Sequence, residues 1–91
     1  MTAQTDLEEA RQRAEKVKEQ FEDQLMSKAN VVGVGVGFRR QRSTWTHEIA
    51  IVVMVSQKIP INLLPANDRL PTEIDGVPVD VQEVGSFLIQ S

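Results

Sequence analysis

Apolar residues recur at three- and four-residue steps over the first part of the chain: Leu7, Ala10, Ala14, Val17, Phe21 and Leu25. That spacing predicts one helix over residues 5–28 with a single apolar stripe. Thr5 and Glu8 form an S/T-x-x-E capping box, and Asn30 supplies a stop. Glu9 with Arg13 and Lys18 with Glu22 place opposite charges four residues apart. The stripe is also close to a heptad, so a short coiled coil is a second way to cover it. Its first half, however, offers only Leu7 and alanines.

The period then changes from helical to alternating. Residues 31–38 read as a strand with Val32, Val34, Val36 and Phe38 on one face, and Val31, Gly33, Gly35 and Gly37 on the other. RRQRSTWT, residues 39–46, is polar enough for a loop. HEIAIVVMVS, residues 47–56, is the strongest strand. Ile49, Ile51, Val53 and Val55 line one face, and Ala50, Val52 and Met54 the other, which predicts a central position. Residues 57–76 hold three of the four prolines and read as a structured connection ending in the Asp75-Gly76 turn. Strand 77–84 puts Val77, Val79 and Val81 inward; Pro78 predicts an edge position for it.

Three glycines in VVGVGVGF raise the question of a phosphate cradle. A dinucleotide fingerprint needs a third glycine where Phe38 stands, and needs a helix after it. No GK followed by Ser or Thr occurs. Glycine within a strand marks close approach of another backbone, a bulge or a bend. The glycine face, bordered by Ala50, Val52 and Met54, is therefore the first candidate for interaction.

Composition narrows the classes. Ninety-one residues make one domain, 1–91. A domain of this size buries about 60% of its unfolded surface, so a partner surface would add stability. Net charge is −3, which argues against nucleic acid as the main partner. The chain has no cysteine, which excludes disulfides, zinc–thiolate sites and thiol nucleophiles. No apolar run approaches about 18 residues and MTAQTDLEEARQR carries no apolar core of a secretory signal, so the expected location is the cytoplasm.

Asn30 to Gly37, Lys58 to Pro60 and Ile74 to Gly85 together resemble the small amino-terminal domain found before the catalytic domain of bacterial trypsin-like serine peptidases. In that family a helix leads into NVxGVGxG, a second strand ends in KxP, and IxGxPxDVxExG closes the unit. The resemblance implies a stand-alone accessory domain that packs on another domain, such as a protease domain. The chain has no GDSGG motif and no room for a peptidase after Gly85.

Catalytic readings find little support. His47 and Glu48 are adjacent on one strand and so face opposite ways, and Gly85-Ser86 lacks the flanks of a nucleophile elbow. Asp75, Asp80 and Glu83 read as a turn aspartate and a solvated strand face rather than a cation site. No cofactor is expected. Arg39, Arg40 and Arg42 with Trp45 form the one concentrated basic feature. They suit either RNA, with Trp45 stacked on a base, or a protein contact; the bland alternative is a solvated hairpin tip.

The sequence thus predicts an α+β domain: one long helix on a small, mainly antiparallel sheet of three or four strands. The expected function is non-catalytic protein interaction, by self-association or docking on another protein. The runner-up is a nucleic-acid or small-ligand module using the Arg39–Trp45 loop. Cover for the glycine face comes either from Ile59, Ile61, Leu63 and Leu64 of the connection or from a second copy of the chain.

Overall fold

The structure is a computed structural model, and it describes residues 3–41 and 44–85, with side chains from residue 6 onward. Helix α1 (Ala3–Met26) leads into strands β1 (Val31–Gln41) and β2 (Thr44–Val55). Two single-turn 3₁₀ segments follow, at Ile61–Leu63 and Ala66–Asp68, and then β3 (Glu73–Ile74) and β4 (Val77–Glu83). The fold is α+β, with the helix packed on a four-stranded sheet of order β1-β2-β4-β3. The sheet is mixed. β1 with β2 and β3 with β4 are antiparallel, while β2 and β4 run parallel. The long connection makes the parallel pair possible, since a tight hairpin can only return a strand antiparallel.

The helix packs on the sheet by the later part of its stripe; Ala10 is exposed, and Leu7 is half-buried outside the core cluster. Ala14, Val17 and Leu25 are buried against Ile51, Val53 and Val55 of β2 and Val77 and Val79 of β4. Phe21, Val34, Val36, Ile49 and Val81 pack around them. The helix stops two residues earlier than its pattern suggests, and Asn30 turns the chain with φ 68°. The side chain of Thr5, at the capping-box position, lies outside the described residues.

Two bulges change which side chains share a face. Val31 pairs with Val55 and Gly33 with Met54, so Val32 is one extra residue on β1. The bulge turns Val31 onto the core, where alternation alone would have put it beside the glycines. At the far end, Phe38 pairs with Ile49 and Arg40 with Trp45. Between those pairs β1 has Arg39 alone, whereas β2 has Thr46, His47 and Glu48. The polar stretch 39–46 is therefore not a broad loop: β1 runs on to Gln41, which pairs with Thr44 at the start of β2, and residues 42–43 lie outside the described residues.

β4 stands between β2 and β3 in the strand order, but β3 pairs only with Val77 and Pro78, so most of β4 has β2 as its one paired neighbour among the described residues and is an edge, as Pro78 predicts. Pro78 is tolerated because the bond to the neighbouring segment is carried by the Val79 amide, which donates to the Thr72 carbonyl at 2.9 Å. Asp75 and Gly76 join β3 to β4 with φ 50° and 83°. Positive φ at both turn residues is the conformation that fits the twist of a two-residue hairpin.

Candidate interaction surface

β1 is an edge strand of 11 residues, with β2 as its one hydrogen-bonded neighbour among the described residues. Its core-side valines meet α1. Its other face carries Gly33, Gly35 and Gly37, opposite Met54, Val52 and Ala50 of β2. The three glycines differ in what they touch. A Cβ on Gly33 would stand 2.9 Å from the Met54 Cε, so the Met54 side chain lies across that glycine. A Cβ on Gly37 would make ordinary contact with Val52 at 3.7 Å. A Cβ on Gly35 would meet nothing within 4 Å.

The connection 57–76 does not cover this face. Val55, Val81, Leu70, Ile59 and Leu64 line one cleft with Ala29 and Asn30, on the helix side of the sheet. Lys28 Nζ donates to the Asn67 carbonyl at 2.7 Å and the Ala29 amide to Asp68 Oδ1 at 3.2 Å, fastening the connection to the end of α1. Ile61 and Leu63 are exposed there. The expectation that Ile59, Ile61, Leu63 and Leu64 shield the glycines is thus overturned, because a connection joining parallel strands must cross one face and here crosses the helix side.

Part of the face is covered by the hairpin itself. The Arg40 amide donates to Asp80 Oδ2 at 2.9 Å, although β2 lies between their strands. Asp80 also accepts from Gln82 Nε2 at 2.8 Å. The irregularity at residues 46–48, which stand opposite Arg39 alone, lets the hairpin reach Asp80 on the glycine side, and Ala50 on that face is 0% exposed. Ala50 therefore offers no surface, whereas Val52 and Met54 are half-buried and border the glycines.

The basic feature is engaged within the chain. Arg39 Nη1 lies 2.9 Å from Glu48 Oε1. The Arg40 guanidinium sits 5.7 Å from the Trp45 ring centroid, a stacking that occupies the face a base would use. Trp45 is 60% exposed and Phe38 41%. Phe38 lies beyond the reach of the core and meets His47 edge-on at 6.0 Å. Arg42 lies outside the described residues. The three acidic residues that a cation would need stand apart: Asp75 forms the β3–β4 turn, Asp80 holds Arg40, and Glu83 accepts from the Lys58 amide at 3.1 Å. What the sequence did not reveal is this Asp80 bridge, since residues 40 and 80 share no local pattern.

The fold defines a small helix-on-sheet domain whose distinctive surface is an open, glycine-faced edge strand. The family model described as the NARROW LEAF 1 N-terminal domain matches residues 11–83, most of the chain, and the chain belongs to that family. This corrects the resemblance to the amino-terminal domain of bacterial trypsin-like serine peptidases. The segments that carried it are the Val/Gly edge strand, the strand end before the connection, and the turn into β4. Each of these segments is short and weak alone, so they do not single out one family. A search among curated proteins finds no match. No helix among the described residues is long and apolar enough to cross a membrane.

Proposed function

We propose that this domain is a non-catalytic protein-interaction module that associates with itself through β1. The observation that carries the reading is the edge: β1 begins with eight residues of valine, glycine and phenylalanine, with no lysine or proline among them. Natural sheets guard such edges with charge, proline, bulges or cover, because unpaired backbone invites another strand. Here the bulge at Val32 and the arginines at 39 and 40 guard only the ends. The open space at Gly35 supports the same reading, since internal packing gives no reason to omit a side chain there. The protease domain that the sequence resemblance suggested as a partner is dropped with that resemblance. The cytoplasm remains the proposed compartment; a fold without cysteine needs no oxidising surroundings.

Sedimentation velocity over a concentration series tests the proposal. The wild-type chain is expected to move from monomer to dimer or larger as concentration rises. A chain that stays monomeric at the highest concentration overturns it.

A further inference from the structure

We propose that two copies join edge to edge, β1 against β1, around a two-fold axis near Gly35, with their α1 helices side by side and paired by charge. This rests on the self-association reading and supplies its geometry.

The two flanks of α1 differ. On one, Arg13 Nη2 donates to the Asp75 carbonyl at 2.9 Å and Phe21 and Gln24 line a cleft with Leu70 and Ile74, so that flank faces β3 and the connection. The other flank stands above the free edge of β1, as Arg11 shows by lining a cleft with Val36, Gly37 and Phe38. At about 100° per residue, Arg11, Glu15, Lys18 and Glu22 all fall within roughly 60° of arc on that flank. Their charges alternate along the helix: plus, minus, plus, minus.

Such an order is complementary to itself when reversed. A two-fold axis passing between residues 16 and 17 sets Arg11 against the partner's Glu22 and Glu15 against the partner's Lys18, and repeats both pairs by symmetry. The same axis serves the strands. From Arg11, beside Gly37, the helix midpoint is about 8 Å further along, a distance spanned by two to three strand residues. Because β1 runs opposite to α1, that midpoint lies over Gly35. Antiparallel pairing about Gly35 then puts Val34 against the partner's Val36.

The spacing also agrees. α1 packs on both β1 and β2. With its axis over the gap between them, adding one strand spacing across the new pair sets the two helices about 10 Å apart, the distance at which helices pack. Each four-stranded sheet becomes half of a continuous eight-stranded one. The Lys18 side chain is 23% exposed and Glu22 42%, 3.6 Å apart in one chain, so a second acidic side chain would complete their surroundings.

The decisive experiment uses two single variants, Arg11→Glu and Glu22→Lys, each checked for its fold by circular dichroism and run at low ionic strength. Each variant alone sets like charges together twice and is expected to weaken self-association about tenfold, as two surface pairs change from attraction to repulsion. Mixing the two restores association as a heterodimer. In that pair the introduced glutamate of one chain meets the introduced lysine of the other, and the native Arg11 meets the native Glu22. Wild-type association that neither variant alters overturns the edge geometry and leaves self-association standing. A wild type that remains monomeric overturns both. Variants that weaken without rescue on mixing also overturn this pairing.

Discussion

Gly33 and Gly35 stand two residues apart on one face of one strand, yet a side chain meets different surroundings at each. At Gly33 the added atom would strike the flexible end of Met54 at 2.9 Å. Gly33→Val must push the Met54 end aside, a small move for a flexible side chain, and a loss of less than about 1 kcal/mol is expected. At Gly35 the space is empty. Gly35→Val is expected to fold and to be at least as stable as wild type, since valine suits a strand better than glycine. Urea unfolding of the two variants checks the contrast; equal losses would mean that the Gly35 face is covered within the chain. Gly76 differs again. Its φ is 83°, and a Cβ placed there would stand 3.1 Å from Arg13 Nη2, so a side chain has no relaxed position. Gly76→Ala is expected to cost about 1 kcal/mol or more, read from the same unfolding curves.

At the scale of elements, the hairpin tip is fastened by backbone more than by charge. Arg39 and Glu48 are both well exposed, 39% and 54%, so their ion pair adds little. Replacing Arg39 and Arg40 together by serine keeps the amide that Asp80 holds, and stability is expected to change by less than about 1 kcal/mol. Asp80→Ala removes the acceptor for both Arg40 and Gln82, and a larger loss, about 1–2 kcal/mol, is expected. Thermal melts of both variants check the order; the reverse order would show that the tip is held by its side chains. The same element marks how far the sequence could be read. Periodicity located α1, β2 and β4 and the inward set Ile51, Val53, Val77 and Val79, because one buried face imposes its period on the chain. The Asp75-Gly76 turn was legible because so few residues accept positive φ. The bulges were not, since an extra residue leaves the composition of a strand unchanged. Nor was the parallel pairing of β2 with β4, because a long connection can return a strand in either direction. For the candidate surface, the glycine face was visible as a pattern, but the burial of Ala50 and the open space at Gly35 are set by long-range packing, which no local pattern carries.

For the whole molecule, the core is small and built of small side chains. Leu25, Ile51 and Val53 are its largest fully buried members among the described residues, and no aromatic ring is fully buried with them. Each large-to-small change there is costly: Ile51→Ala is expected to lose about 2–5 kcal/mol, a large part of what a domain of this size possesses. Self-association through β1 would add to that margin by mass action, because only the folded chain presents the edge. Raising the concentration from well below the dissociation constant to about 100-fold above it stabilises by about 2–3 kcal/mol. In a domain of this size that corresponds to a rise in melting temperature on the order of 10 °C. The melting temperature of the wild type is therefore expected to climb with protein concentration. Arg11→Glu should shift that climb to higher concentration and keep the same melting temperature at high dilution, since Arg11 lies on the exposed flank of α1 and outside the core. Calorimetry across a concentration series measures both. A melting temperature independent of concentration in the wild type would show that the small core suffices alone, and that β1 contributes nothing to stability beyond its own chain.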